Sequence, residues 1–302
     1  MLRDILKDKN GTIDLKALAS SLGITMMRLY NFVGMLEDAF IIRTTATPNG
    51  RYIDFLGIVE HEQAVQVSQD CIGYLGEYLK KYSIETGNAK DYRDINPDVT
   101  ATALYMGEHF QQIKDFYSAV KSTLNQCQEF HYSLAEANIP LTDNSRVVAF
   151  ARGLYRIGHL SSFTYKKAPH RIITAQVNNS PEAHSFISGG WLEHYVYSKA
   201  KDILTGEYAC VRNLNVTLPE NEQFEFDMLI CQGENIIWVE CKTGKYSPYL
   251  AKYSRIAKLL GFDAKNAILV TAETQAVDTT SEYGITTCNL EDFPETFRKA
   301  CT

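Results

Sequence analysis

Several features typical of other protein classes are missing from this sequence of 302 residues. It has no run of about eighteen apolar residues, so no membrane-spanning helix is predicted, and its polar start is unlike a signal peptide. We therefore expect a cytoplasmic protein. No low-complexity tract is present and 45% of the residues are apolar, which predicts a globular chain.

An excess of basic residues is also missing, since the formal net charge is −6. A chain coated with positive charge for nucleic-acid binding is therefore not expected. The seven cysteines include no C-x-x-C pair, which argues for reduced thiols and against a structural zinc site. The charge is nevertheless uneven, because residues 146–171 carry six basic side chains and no acidic one.

Residues 1–60 have the pattern of a winged helix-turn-helix. One helix can begin after Asp14 and a second at Thr25, and a hairpin follows with strands at 40–45 and 51–55. The candidate base-reading residues are Thr25, Arg28 and Asn31. Because this segment has seven basic and seven acidic residues, packing or dimerisation is favoured over sequence-specific DNA binding.

Two segments follow before the C-terminal domain. Residues 61–145 have helical periodicity and are interpreted as a helical connector. Residues 146–180 form a basic aromatic segment, which either follows a single-stranded nucleic acid, binds a nucleotide effector or partner, or is a helix with solvated arginines. A strand is predicted at 172–177. The candidate nucleic-acid-binding residues of this segment are Arg146, Arg152, Arg156, Lys166, Lys167 and Arg171.

Residues 181–302 have the alternating pattern of an α/β sheet with helices on its faces. The expected helices lie at about 189–204, at 249–261, near 278 and from 291 onward, and the expected strands at 207–218, 224–232, 235–242, 266–272 and 284–289. Lys252 and Arg255 on the helix at 249–261 are further candidates for phosphate contact.

The hairpin between 224 and 242 carries four polar residues among apolar ones. With Gly233 in a two-residue turn, Gln232 pairs with Asn235, so Asp227 lies opposite Glu240 and Glu225 opposite Lys242 on one face. Two adjacent carboxylates repel each other unless a cation lies between them, and hard oxygen ligands suit Mg²⁺ or Mn²⁺. The alternative is a structural Glu225–Lys242 pair.

Asp227 and the block Glu240-Cys241-Lys242 resemble the PD-(D/E)xK signature of restriction-endonuclease-like nucleases, with Phe226 in place of the proline. The upstream block Gly189 to Val196 is similar to the C-terminal nuclease domain of CRISPR-associated ancillary nucleases that join it to a CARF domain. The resemblance implies that Glu193, Asp227 and Glu240 hold the metal and that Lys242 completes the catalytic set. It also implies a homodimer.

An N-terminal Rossmann-like sensor is not recognisable, so activation by a cyclic oligonucleotide is not predicted from this chain. The expected function is that of a metal-dependent endonuclease acting on DNA, with RNA as the other substrate, in defence against foreign nucleic acid. The alternative is a non-catalytic DNA-binding regulator whose nuclease-like domain serves assembly. Such a regulator would bind duplex in a salt-sensitive and metal-independent way.

Overall fold

The structure is a computed structural model. It describes residues 12–14, 19–20, 25, 29, 42–47, 50–55, 69–87, 96–126, 128–273 and 276–302. Two compact units are present, Met1–Ala64 and Val65–Thr302. No helix in these ranges has both the length and the apolar character needed to cross a bilayer. The cysteines in these ranges are free thiols.

The first unit contains a three-stranded sheet in the order β1-β3-β2, formed by β1 (Thr12–Asp14), β2 (Ile42–Thr47) and β3 (Gly50–Phe55). The predicted hairpin is confirmed, although its first strand continues to Thr47 instead of ending at residue 45. Leu29 donates its backbone N–H to the Thr25 carbonyl at 3.0 Å, a helical spacing. Ala19 and Ser20 of the first predicted helix are helical, whereas Arg28, Asn31 and most other residues of the predicted helix-turn-helix lie outside the described residues.

The second unit is built on a six-stranded mixed sheet in the order β12-β11-β10-β9-β8-β4. The strands β8 to β10 are antiparallel neighbours, whereas β10, β11 and β12 run parallel. The strands are β4 (Glu85–Thr86), β8 (Ala209–Leu218), β9 (Glu222–Gln232), β10 (Asn235–Lys242), β11 (Ala267–Thr271) and β12 (Thr286–Asn289).

A second, three-stranded antiparallel sheet in the order β5-β7-β6 lies in the same unit. Its strands are β5 (Glu129–Ser133), β6 (Leu160–Lys166) and β7 (Ile172–Val177). The described helices are α1 (Gln69–Lys81), α2 (Pro97–Glu108), α3 (Phe110–Ser122), α4 (Asn144–Arg156), α5 (Pro181–Ser185), α6 (Trp191–Lys201), α7 (Leu250–Leu260), α8 (Thr280–Tyr283) and α9 (Phe293–Ala300).

Local sequence signals set several helix ends. The Asn96 side chain accepts a hydrogen bond from the Asp98 N–H at 2.9 Å, and Pro97 occupies the first turn, so α2 begins there. Ser180 caps α5 in the same way through the Ala183 N–H. The helix α7 ends at Gly261, whose φ of 70° lies in the left-handed region that glycine adopts without strain.

Two hydrophobic cores cover the two faces of the large sheet. The first core joins helices α2, α3, α4, α6 and α9 and the small sheet to one face, with Phe116, Phe150 and Trp191 fully buried. The second core packs α1 and α7 against the other face around Phe226 and Trp238. Burial on both faces explains why β10 and β11 read as nearly continuous apolar runs.

The C-terminal elements follow the prediction closely, and β7 and β10 have the predicted bounds. The segment before them differs. The range read as a helical connector contains two strands, β4 and β5, and β4 pairs with β8 at the edge of the large sheet. Residues 65–302 form one compact unit, and the segment divisions at residues 145 and 180 do not separate its first core.

Candidate active site

The β9–β10 hairpin has the predicted register. Gln232 pairs with Asn235, and the ladder continues to Met228 opposite Val239. Gly233 has a φ of 61°, as the first central residue of the predicted turn requires. After the Met228–Val239 pair the regular ladder ends, and this is the point at which the polar residues begin.

Strands β8 and β9 change sides at Asn213 and Asp227. Side chains alternate along a strand, so Phe226 and Met228 should share a face, yet Phe226 lies in the second core and Met228 in the first. The opposing residue Asn213 has a φ of 45°, a left-handed conformation that asparagine tolerates better than most residues. Because of this irregularity, the face on which the Asp227 side chain lies does not follow from the regular alternation of side chains along β9.

Asp227, Glu240 and Lys242 come together where the ladder ends. The Lys242 Nζ atom lies 3.9 Å from Asp227 Oδ2 and 3.7 Å from Glu240 Oε2. Asp227 Oδ2 accepts a hydrogen bond from the Cys241 N–H at 2.8 Å, and Glu240 Oε1 accepts one from the Trp238 indole at 3.0 Å. Each carboxylate is therefore held by a protein donor in addition to the lysine.

The expected opposition of Glu225 and Lys242 is not the contact found. Because of the change of sides at Asp227, the Glu225 carboxylate lies by Asn213, whose Nδ2 is 3.4 Å from Glu225 Oε1. The ion pairs of Lys242 are with Asp227 and Glu240. The prediction that all four residues share one face was wrong for Glu225.

The electrostatics of the cluster follow from burial and from like charge. Glu240 is only 3% exposed, and burial raises its pKa well above the usual range; the Asp227 charge adds to this, while Lys242 and the Trp238 N–H oppose it. Burial alone would lower the pKa of Lys242, but the two carboxylates outweigh that effect and raise it. The lysine is therefore a permanent cation at neutral pH.

Glu193 adds a third carboxylate from the first turn of α6. Its Oε2 atom accepts a hydrogen bond from Asn213 Nδ2 at 2.8 Å and lies 3.7 Å from the Arg212 guanidinium, which is itself 1% exposed. Burial raises the pKa of Glu193, and the Asp227 charge raises it further. The left-handed conformation of Asn213 thus accompanies a hydrogen bond between β8 and the Glu193 carboxylate on α6.

A π-helical segment, Phe186–Gly190, brings α6 close to the end of β10. A Cβ atom on Gly189 would lie 3.3 Å from Thr243 Oγ1, and one on Gly190 would lie 3.0 Å from the Ser185 carbonyl, so the glycine pair permits the approach. The Tyr117 hydroxyl of α3 donates to the Ile187 carbonyl at 2.9 Å and fixes this segment from the helical side.

These elements surround an open cleft of about 350 Å³. Glu193, Asp227 and Lys242 line it together with the glycine pair and the loop 243–245. Tyr249, 47% exposed, forms another part of the wall. The Glu240 side chain is not part of the cleft wall. Trp191, by contrast, is fully buried in the first core.

The donor set fits a hard divalent cation. Mg²⁺ retains several waters and is held by one or two carboxylates, and Asp227 and Glu193 both reach the cleft. Within the described ranges, no three His, Cys, Asp or Glu side chains are already arranged as a metal site. Glu240 is held back from the cleft by its Oε1 atom, which accepts hydrogen bonds from the Trp238 indole at 3.0 Å and from the Asp227 N–H at 3.4 Å.

The basic residues predicted to bind nucleic acid are not among the residues that line this cleft. Arg146 and Arg156 form ion pairs with Asp143 (2.6 Å) and Asp98 (3.4 Å). Arg171 donates to the Ile139 carbonyl and to Asn144, both at 2.6 Å. Lys252 lies 3.5 Å from Glu222, and Arg255 pairs with the same carboxylate.

The remaining basic candidates are on or near the small sheet. Lys166 ends β6 and Lys167 follows it, and both are exposed, whereas Arg152 on α4 is half-buried. A cation that the sequence analysis passed over is nearer: Lys121 of α3 donates to Thr243 Oγ1 at 3.3 Å, beside the cleft. Nothing in its local sequence signals this, because the contact spans 122 positions.

Comparison with known proteins identifies a shared fold. No family model and no curated protein matches the sequence. The structure of Can2 from Sulfobacillus thermosulfidooxidans in complex with cyclic tetra-adenylate has a TM-score of 0.51 at 14% identity, covering 75% of this chain and 58% of Can2. Protein VC1899 from Vibrio cholerae has a TM-score of 0.50 at 15% identity, covering 90% and 73%. This chain therefore spans little more than half of Can2, and at these identities what it has in common with both proteins is a mixed α/β fold.

Proposed function

We propose that this protein is a metal-dependent nuclease of the PD-(D/E)xK type that hydrolyses phosphodiester bonds in nucleic acid, with DNA as the favoured substrate and RNA as the other. The observation that carries the proposal is the position of the Lys242 ammonium, 3.9 Å from Asp227 and 3.7 Å from Glu240, beside a cleft that Glu193 also lines. Two acids and a permanent cation are costly to bury at the end of an apolar hairpin, and this cost favours a chemical role in addition to their structural contacts.

Each residue has a distinct task in this proposal. Asp227 and Glu193 would hold Mg²⁺ or Mn²⁺ on the cleft wall, and their orientation is maintained by the Cys241 N–H and the Asn213 amide. Lys242 places its positive charge against the phosphate and stabilises the negative charge that develops on it. A bound divalent ion would supply a Lewis acid for the phosphoryl oxygen and acidify a water molecule.

Glu240 has a more indirect position. Its carboxylate is hydrogen-bonded to the Trp238 indole at 3.0 Å and lies behind the cleft. We propose that it keeps Lys242 charged and oriented, and that it would be a further ligand for the metal if its carboxylate turned from the indole. The two roles can be separated, because Trp238→Phe removes the indole donor and leaves the lysine contact in place.

Several finer features belong to the same proposal. We propose that the N-terminal unit is a winged helix, and its three-stranded sheet with the β2–β3 hairpin supports this. The Can2 structure holds cyclic tetra-adenylate, which motivates a nucleotide effector or a regulatory partner as the control of this enzyme. We further propose a cytoplasmic homodimer that acts in CRISPR-associated defence, on the resemblance of the Gly189–Val196 block.

The test is a cleavage assay on labelled single-stranded and duplex DNA and RNA, in Mg²⁺, Mn²⁺ or EDTA, with and without cyclic tetra-adenylate. Cleavage is expected with a divalent ion and is abolished by EDTA and by Asp227→Asn. Glu234→Gln is the matched control, because Glu234 is an exposed acid in the turn of the same hairpin. Equal cleavage by Asp227→Asn and by Glu234→Gln rejects the proposal.

A further inference from the structure

The side chain of Lys121 projects from α3 to the edge of the candidate active site. Its Nζ atom donates to the Ser188 carbonyl at 2.7 Å and to the Thr243 hydroxyl at 3.3 Å. Ser188 precedes the glycine pair, and Thr243 follows Lys242 directly. One ammonium group of the helical layer therefore connects the two backbone segments that form the cleft.

The hydrogen-bond partners of Lys121 are neutral oxygens, and its Nζ atom also lies 5.7 Å from the centroid of the Tyr117 ring, which is neutral too. Within the described ranges no carboxylate lies within ion-pair distance of Lys121, and burial lowers its pKa. Arg146, Arg156 and Lys252 each have an acid as partner at 2.6, 3.4 and 3.5 Å. Lys121 is half-buried and contacts only neutral groups, so its charge can still pair with an anion. The cations that already have an acidic partner are less able to do so.

Thr243 is a shared wall between two cavities. It lines the cleft of about 350 Å³ with Lys242 and Lys245, and it lines a neighbouring groove of about 390 Å³ along α3 with Lys121. An extended ligand that fills the cleft can therefore continue past Thr243 to Lys121. A polynucleotide has this shape and carries a negative charge at every linkage.

We propose that Lys121, Thr243 and Lys245 form a phosphate subsite that binds a linkage next to the one being cleaved. This inference rests on the proposed nuclease function and assigns the helical layer a part in holding the substrate. Lys121 supplies the charge from α3, and Lys245 supplies a second charge from the loop after β10. The Thr243 hydroxyl, which donates to the Ser188 carbonyl at 3.2 Å, turns from that carbonyl and donates to the phosphate oxygen when the linkage binds.

The subsite is confined to the shared wall. The groove along α3 contains Lys114 and Lys121, and it also contains Asp115 and Glu273, so its charged side chains balance. A continuous basic track along the whole helix is therefore not part of the proposal. The subsite is therefore expected to add the affinity of one phosphate contact.

Lys121→Gln tests the subsite while an amide hydrogen bond to the Ser188 carbonyl remains feasible. Binding to labelled oligonucleotides is measured by fluorescence anisotropy in EDTA over a range of salt concentrations, so cleavage does not interfere. We expect affinity to fall about threefold to tenfold and the salt slope to decrease by about 0.7 to 0.9, the value for one lost phosphate contact. Lys121→Arg should retain most of the affinity.

The control is Lys265→Gln. Lys265 is exposed and precedes β11, and the pairing of Trp238 with Ala267 and of Lys242 with Thr271 puts it at the opposite end of the sheet from the cleft. Lys245→Gln is a second test that leaves the Ser188 contact intact, and it should weaken binding by a similar factor. Equal affinity and salt slope in wild type, Lys121→Gln and Lys245→Gln overturn the subsite.

A neutral methylphosphonate at successive linkages locates the contact. We expect one linkage beside the cleaved bond at which neutralisation weakens binding of the wild type but not of Lys121→Gln. The absence of such a linkage also overturns the proposal. If the protein cleaves with a divalent metal but binds equally well without the Lys121 charge, only the subsite is rejected. If binding depends on Lys121 but no metal supports cleavage, only the nuclease function is rejected.

Discussion

Asp227 replaces a backbone carbonyl in the sheet: its Oδ2 accepts the Cys241 N–H at 2.8 Å, just beyond the last regular pair of the β9–β10 ladder. One carboxylate thus satisfies a backbone donor and lines the cleft at the same time. The structural and the chemical roles of Asp227 can be separated by two substitutions.

Asp227→Asn and Asp227→Ala should both remove cleavage but differ in stability. The asparagine oxygen can still accept the Cys241 N–H, whereas alanine leaves that donor without its partner, which costs about 1–3 kcal/mol. Denaturant unfolding should therefore rank the asparagine variant above the alanine variant, while each loses about a hundredfold or more of the cleavage rate. Equal stability of the two variants contradicts the bridging role.

Lys242→Met should destabilise the fold as well as abolish activity. It leaves Asp227 and the nearly buried Glu240 without their cation, and we expect a loss of about 2 kcal/mol. This is less than the roughly 3–5 kcal/mol of a fully buried pair, because the lysine is 28% exposed.

A second substitution tests the cause of that loss. Adding Glu240→Gln to the Lys242→Met variant removes one of the uncompensated charges, so it should restore part of the stability. In the wild-type background, Glu240→Gln should not stabilise to the same extent. Additive effects in a thermal-unfolding cycle would show that the charges are not coupled.

The pH dependence of stability should report the buried acids. The pKa of Glu193 is raised above 4.5 in the folded protein by burial and by Asp227. A raised pKa stabilises the fold fully below the unfolded value, and this contribution is lost as the pH rises through the folded value. In EDTA, the melting temperature of the wild type should therefore fall relative to Glu193→Gln from about pH 4.5 upward.

Metal binding should show the complementary trend. Carboxylates must lose their protons to ligate a cation, so Mn²⁺ affinity should rise over the same pH range and binding should release protons into the buffer. Isothermal titration calorimetry in buffers of different ionisation enthalpy measures that release. Proton release that is unchanged in Glu193→Gln would remove Glu193 from the site.

Gly107→Ala tests the packing that positions Glu193. A Cβ atom at Gly107 would lie 2.2 Å from the ring of Tyr195, which is on α6 together with Glu193. The two helices must separate, so we expect a loss of about 1–3 kcal/mol and weaker cleavage. Gly73→Ala on α1 has open space around it and should be neutral or slightly stabilising.

The sequence predicts the C-terminal part of this fold well because its signals are local. Alternation, turn chemistry and the Gly233 turn define the β9–β10 hairpin and its register, and five observed pairs follow it. The strand β5 within the range read as helical could not be predicted in this way, because its stability comes from pairing with β7, about forty residues away.

The site was predictable as a set of residues but not in its geometry. The spacing brings Asp227, Glu240 and Lys242 together, as found. The change of sides at Asn213 and Asp227 depends on two strands adjusting jointly, so an alternation rule applied to one strand misplaced Glu225. The pairing of Arg156 with Asp98 and the reach of Lys121 to Thr243 are likewise tertiary contacts without a local signature.

The first core has a practical consequence for dissecting the molecule. Phe116, Phe150 and Trp191 lie on three different helices and are buried in the same core, so these helices and the large sheet share a single interior. A fragment cut at residue 181 would lack half of that interior and would present its apolar face to solvent. Minimal expression fragments, domain swaps and fusions should therefore retain α1 onward, because α1 covers the second core and β4 pairs with β8. Inserted tags are better tolerated at exposed turns such as Gly233–Glu234.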